Sequence, residues 1–292
     1  METKRIISDS EMIINDDGSI FHIHLRPEQL RDNIIIVGDP ARVNIVASFF
    51  DNIEYEVSSR EFHTIAGTYK GKQIMCLSHG IGGDNIDIVV NELDALANID
   101  FATRQVKETF RRLNIIRIGT SGGLQPDIPI GSYVIAEKGI GFDGVLNFYS
   151  GRNEICDIDF EHHFCEAVGW NSLWAKPYVA DADPELISRI GGNDMKRGCT
   201  ISANGFYGPQ GRQLRLPLAD PELNHKIEAF QYKNFRITNY EMESAALQGL
   251  CKLMGHRAMT VCAIIANRMS GNATPNYKTA VRDLIVTVLD RL

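Results

Sequence analysis

Three short segments of this 292-residue sequence carry residue types that can hold an oxyanion. Gly38-Asp39-Pro40-Ala41-Arg42 follows the apolar run Ile34-Ile35-Ile36-Val37. Asp39 is placed to cap a helix that Pro40 opens, because a proline in the first turn forfeits no hydrogen bond. A glycine at such a turn lets an anion approach free amides, and Arg42 falls one turn into the helix. Arg117 lies near the end of the run Asn114–Ile118 and precedes Gly119-Thr120-Ser121-Gly122-Gly123, a segment expected to loop and aim amides and hydroxyls at one anion. A buried arginine is costly unless paired, so a structural salt bridge is the other use open to Arg117. Ser58-Ser59-Arg60-Glu61-Phe62 reads by itself as a polar turn. Taken together, three arginines at strand ends suit the fork geometry that recognises phosphate.

Other patterns carry less. Gly139-Ile140-Gly141-Phe142-Asp143-Gly144 matches GxGxxG, but no amphipathic helix follows it. The segment 119–123 is not a Walker loop, since no Gly-Lys-Ser/Thr follows. His22-x-His24 and His162-His163-x-Cys165 lack a four-ligand set, so no metal is expected. Trp170 and Trp174, four apart on a helix-like stretch, read as packing. Glu241 and Glu243 at a helix start would, on charge alone, complement its dipole.

These residues need strands and helices to position them. Runs at 34–37, 64–69, 73–78, 114–118, 133–136, 176–180, 199–203, 235–239 and 258–265 predict strands, with a hairpin at Lys70-Gly71-Lys72. Helical spacing marks 86–97 and 277–292, and 241–254 is apolar nearly all round, as a buried helix would be. Strands alternating with helices imply an α/β fold with a mixed sheet. No repeat or long linker divides the chain, so one domain is expected over 21–292, preceded by an N-terminal arm over 1–20. A net charge of −7 disfavours a nucleic-acid footprint. Six cysteines without a CxxC pair imply buried thiols in a reducing compartment. With no signal-peptide pattern and no apolar run long enough to span a membrane, the expectation is a cytoplasmic protein.

The ordered segments resemble the nucleoside phosphorylase-I family. Gly38-Asp39-Pro40-x-Arg42, Arg117-Ile118-Gly119-Thr120-Ser121-Gly122 and Tyr240-Glu241-Met242-Glu243-Ser244-Ala245 are similar to its signature blocks, and the resemblance runs from about His22 to the C-terminal helix. It implies a central mixed, partly barrel-like β-sheet flanked by helices. Phe206-Tyr207-Gly208-Pro209-Gln210-Gly211-Arg212 resembles the uracil-recognition loop of the uridine phosphorylases in that family. Ile265-Ala266-Asn267-Arg268 stands where purine-specific members carry an aspartate-containing pair that binds the purine N7. The implied reaction converts uridine and phosphate to uracil and ribose 1-phosphate, reversibly and with inversion, in pyrimidine nucleoside salvage. No covalent intermediate and no cofactor are needed, and inorganic phosphate is the co-substrate.

The resemblance also implies roles. Phosphate falls to Gly38, Arg42, Arg117 and Thr120, with Arg60 reaching in from a neighbouring subunit. Ribose falls to Thr120, Met242 and Glu243, with His22 contacting the 5′-hydroxyl across the same interface. Gly122, Phe206, Gln210 and Arg212 take the base. Arg117, Glu243, Gln210 and Arg212 would carry catalysis: an amide offers a donor and an acceptor to uracil, and Arg212 can stabilise the charge that builds on the leaving base. Such shared sites imply at least a homodimer, with a hexamer (a trimer of dimers) left open. Some uridine phosphorylases hold a monovalent cation between subunits through a glutamate and a serine. Glu61 fits the glutamate, but Asn85 replaces the serine, so the pattern for K+ is incomplete. Pro209 stands where glycine is usual, and 98–105 and 213–224 look enlarged.

Other readings are a broader pyrimidine phosphorylase that also takes deoxyuridine or thymidine, a nucleosidase that attacks with water, and a non-catalytic nucleoside-binding relative. Three arginines argue against the nucleosidase, and the filled polar positions argue against lost catalysis.

Overall fold

The computed structural model describes residues 5–268, 271–274 and 276–292, so positions 1–4 of the expected arm lie outside the described residues. Strand β1 (Asn33–Val37) runs into helix α1 (Pro40–Ala47), and β2 (Asn52–Ser59), β3 (Phe62–Tyr69) and β4 (Lys72–Ser78) precede α2 (Gly83–Asn98). A small hairpin of β5 (Ile99–Asp100) and β6 (Gln105–Val106) leads to β7 (Asn114–Gly123) and β8 (Tyr133–Gly141). Next come α3 (Arg152–Ile155), α4 (Ile158–Val168), β9 (Tyr178–Asp181), α5 (Pro184–Ile190) and β10 (Met195–Ser202). Helix α6 (Leu223–Ala229), β11 (Gln231–Tyr232) and β12 (Phe235–Glu241) lead into α7 (Ser244–Met254). The chain ends through β13 (Arg257–Asn267), β14 (Asn272–Ala273) and α8 (Lys278–Arg291).

The strands build one mixed sheet that is partly a barrel. β7, β13, β8, β10 and β12 close a ring, because β12 returns to pair antiparallel with β7 at Gly122 and Gly123. From β7 the sheet runs out through β1, which pairs parallel with both β7 and β4, to the antiparallel strands β3 and β2. Side chains alternate between the two faces, as the period of a strand demands. Ile34, Ile36, Met75, Leu77 and Ile115 pack toward α2 and α7. Ile35, Val37, Ile74, Cys76, Ile116 and Ile118 pack toward α1, α5 and α8. Fully burying one such side chain contributes about 1.5–3 kcal/mol, so both layers hold the sheet from opposite sides.

Local chemistry explains the connections. The Asp39 carboxylate accepts from Ala41 N at 2.9 Å and caps α1, with Pro40 in the first turn. The β3–β4 hairpin turns on Lys70 and Gly71, at φ 48° and 76°, the pair of left-handed residues that a tight two-residue turn requires.

Several expectations are corrected. Gly119–Gly123 is not a loop: β7 continues as strand to Gly123, paired along β13. Its amides are therefore drawn into a sheet, which the glycines disguise in the sequence. Trp170 and Trp174 lie beyond the end of α4 rather than on a helix, and their rings stack edge-to-face at 4.9 Å, with Trp170 packed on Phe142. Strand β2 adds to the predicted set; it is an edge strand whose side chains are mostly exposed, so its apolar signal is weak. Within 5–20, Met12 and Ile20 are buried in the α2-side core, and Arg104 of the β5–β6 hairpin donates to Met12 O at 2.8 Å. All six cysteines are free, and among the described residues no helix is long and apolar enough to cross a membrane.

Candidate active site

An open cleft of about 920 Å³ lies at the C-terminal ends of β1, β4, β7, β12 and β13. Strand ends in an open α/β sheet leave a crevice where connections diverge, which is why ligands bind there. Gly38, Arg42, Arg117, Thr120, Gly122, Phe206, Gln210, Arg212, Met242 and Glu243 all line it. Residues from four separated stretches of sequence thus meet in one cavity.

Arg117 stands at its centre. It shares the sheet face of Ile115, beneath the start of α7, where Glu243 occupies the N-cap position and Glu241 ends β12. Its Nη1 lies 2.9 Å from Glu241 Oε2, its Nη2 pairs with Glu243 Oε2, and its Nε donates to His79 Nε2 at 3.2 Å. Burial alone would disfavour the cation, but the Glu243 and Glu241 carboxylates more than offset that and raise its pKa. The salt-bridge reading of Arg117 and its place in the cleft therefore hold together. Burial pushes the Glu243 carboxyl up, Arg117 opposes the shift and Glu241 adds to it. The second oxygen of Glu243 accepts from Gly82 N at 2.7 Å, which ties α7 to the turn before α2.

Arg42 differs. It reaches the Ile118 carbonyl at 3.3 Å and has no carboxylate partner among the described residues. Burial and the neighbouring Arg117 both lower its pKa, which marks a cation short of negative charge. An anion entering beside Gly38 would relieve that deficit.

At the other end, Gln210 is buried and its Oε1 accepts from Arg212 Nη1 at 2.5 Å and from Arg268 Nη2 at 3.2 Å. The Arg212 guanidinium lies 3.8 Å from the centre of the Phe206 ring, a cation–π contact on a side chain that is 51 % exposed. Burial and Arg268 bring the Arg212 pKa down to about 10. Ile265 and Ala266 also line the cleft. Asn267 is buried, and its amide donates to the carbonyls of Gln125 and Ile128.

His22 and Arg60 do not reach the cleft of their own chain. The His22 ring lies 2.6 Å from Glu92, and the Arg60 guanidinium lies over the Phe21 ring at 5.5 Å, so the two side chains share one neighbourhood on the surface. Arg60 sits at the β2–β3 turn with φ 54°, an uncommon conformation for a residue other than glycine. Glu61 and Asn85 both line the cleft, close to Gly80.

Three participants escaped the sequence reading. Glu241 pairs with Arg117 and accepts from the amides of Glu243 and Ser244, so its helix-start position serves a charge partner as well as a cap. Arg268 was visible beside Asn267, but nothing in the order of residues linked it to Gln210. His79 directly follows an apolar strand and precedes Gly80-Ile81-Gly82-Gly83, much the signal that marks Gly38.

The GxGxxG segment has a packing use. A Cβ at Gly139 would stand 2.7 Å from Ala245 Cα, so that glycine lets α7 approach β8.

Comparison with known proteins adds to this geometry. The sequence profile of the phosphorylase superfamily matches residues 32–290. A uridine phosphorylase of Haemophilus influenzae is 31% identical over 267 residues, spanning 90% of this chain and 91% of its own. A DeoD-type purine nucleoside phosphorylase of Listeria welshimeri is 28% identical over 272 residues, spanning 92% and 97%. The crystal structure of a Trypanosoma brucei nucleoside phosphorylase, described as showing uridine phosphorylase activity, superposes with a TM-score of 0.86 at 27% identity, covering 96% of this chain and 99% of that one.

Proposed function

The chain belongs to the phosphorylase superfamily, and from that premise we propose that it cleaves uridine with phosphate, giving uracil and ribose 1-phosphate. The observation that carries this reading is the base end of the cleft: a buried carboxamide, Gln210, flanked by the guanidinium groups of Arg212 and Arg268, in a cleft that the apolar Ile265 and Ala266 also line. Uracil offers an imide N–H and two carbonyl oxygens, which an amide and two cations complement. A purine needs an acid at N7 as it leaves, and no carboxylate lies on segment 265–268.

The rest follows from charge and placement. Phosphate lies between Gly38, Arg42, Thr120 and Arg117, and Glu243 accepts from the ribose hydroxyls beside Met242. A phosphate oxygen bonds to C1′ from the face opposite the base while the C1′–N1 bond breaks. The bonding pair leaves on uracil, where Arg212 and Arg268 stabilise it electrostatically. Glu243 favours the positive charge that develops on the ribose. Arg42, with no carboxylate partner among the described residues, supports phosphate over water as the nucleophile.

Base release from uridine is followed with and without phosphate, with inosine and thymidine in parallel. Phosphate-dependent release from uridine with inosine inert is the expected result. Release without phosphate would make the protein a hydrolase, and preference for inosine would transfer it to the purine-cleaving relatives. Turnover of thymidine alongside uridine would broaden the reading to pyrimidine nucleosides.

A further inference from the structure

His79 follows β4 directly and precedes Gly80, which lines the cleft. Its imidazole is fully buried. The 3.2 Å contact with Arg117 Nε has only one polarity, because a guanidinium donates and never accepts. His79 Nε2 must therefore be the acceptor, and the ring is the neutral tautomer with its hydrogen on Nδ1. Among the described residues that nitrogen has no hydrogen bond of ordinary geometry, the Gly80 backbone offering only a weak contact. Packing alone does not account for an imidazole here, since an aliphatic side chain would fill the space without stranding a donor. The ring also backs the glycine turn: a Cβ at Gly38 would stand 3.7 Å from its Cε1. Glu241 and Glu243 hold the two terminal nitrogens of Arg117, and His79 holds the remaining edge.

We propose that His79 is a positioning residue for Arg117: its imidazole accepts from Arg117 Nε and sets how the guanidinium divides its other donors between the two carboxylates and an incoming phosphate. The proposal rests on the phosphorolysis reading. It differs from a packing role in demanding an acceptor at the Nε2 position and in acting on phosphate more than on nucleoside.

The pair H79Q and H79N separates these. Glutamine carries an amide oxygen about as far as Nε2, whereas asparagine reaches only as far as Nδ1. With uridine as substrate, H79N is expected to lose about 10- to 100-fold in kcat/KM for phosphate, the scale of a lost hydrogen bond to a charged group. Its KM for uridine should change little, and H79Q should recover most of the loss. Calorimetric titration with inorganic phosphate alone should repeat the pattern without turnover. Wild-type behaviour of H79N, equal losses in both variants, or a loss shared equally by phosphate and uridine would overturn the proposal. Should H79N fail to fold, H79Q decides: near-normal phosphate affinity sustains the proposal, and a loss like that expected of H79N refutes it. A wild-type protein that binds phosphate yet cleaves no nucleoside would sink the phosphorolysis reading while leaving the titration as the test of His79. If it binds no phosphate, both fall.

Discussion

Arg117 gathers two carboxylates and an imidazole around one buried guanidinium, and the behaviour of each neighbour follows from that charge. His79 is the clearest case. Burial, then the Arg117 and Arg42 cations, hold its pKa well below the ordinary value. Below about pH 6.5 the unfolded chain takes up a proton that the folded one refuses. The associated stability is therefore fully present above that pH and is lost as the pH falls beneath it. Urea unfolding measured at intervals from about pH 7 down to pH 5 should show that slope, and H79Q, which removes this one imidazole, should make it shallower. Gln210 makes a different prediction at the same scale. Q210A removes the carboxamide between Arg212 and Arg268 but touches nothing at the Arg42 end. Uracil affinity should fall by about 10-fold, from one or two lost hydrogen bonds, with phosphate affinity little changed. Equal losses for both ligands would make the 206–212 segment a structural loop.

Strands and helices bring these side chains together by simple means. Helix α7 must lie close to β8 for Glu243 to meet Arg117, and Gly139 provides the room. G139A would drive a Cβ into the α7 backbone, which cannot rotate away as a side chain can. A stability loss of about 1–3 kcal/mol is expected, typical of overpacking, together with weakened ribose and phosphate binding because Glu243 moves with the helix. Thermal melts and steady-state kinetics check both parts, and an unchanged melting point would show that α7 yields freely. Much of this arrangement is legible in the residues. Ile34–Val37, Ile74–Leu77 and Asn114–Ile118 are apolar enough to read as buried strands, and Asp39-Pro40 announces α1. The ordered motifs then predict most of the cleft lining. What stays hidden depends on three-dimensional partners. Segment 119–123 reads as a loop because its glycines hide a strand paired along β13. β2 is hidden because an exposed edge strand leaves a weak alternation. Arg268 and His79 are hidden because their meaning lies in contacts, with Gln210 and Arg117, that span 58 and 38 residues of chain.

For the molecule as a whole, His22 and Arg60 raise the question of how many chains make one site. Both lie away from the cleft of their own chain, side by side around Phe21. If they serve a neighbour's cleft, R60A and R42A are each expected to be poorly active alone, and mixing them under exchange should restore activity. The mixed dimer has one cleft with both arginines intact, whereas sites confined to single chains gain nothing from mixing. Sedimentation should then show no active monomer. The closed ring of strands has its own consequence. Arg117, Glu241 and Ile265 sit on β7, β12 and β13, and β7 is paired with both of the others. A strand held on both sides cannot fray from an edge, so its amides open to solvent only when the whole ring comes apart. Deuterium should therefore enter β7 and β13 at the rate of global unfolding, while the outer hairpin of β2 and β3 exchanges through small local openings. The strands that carry the chemistry are then the last in the molecule to come apart.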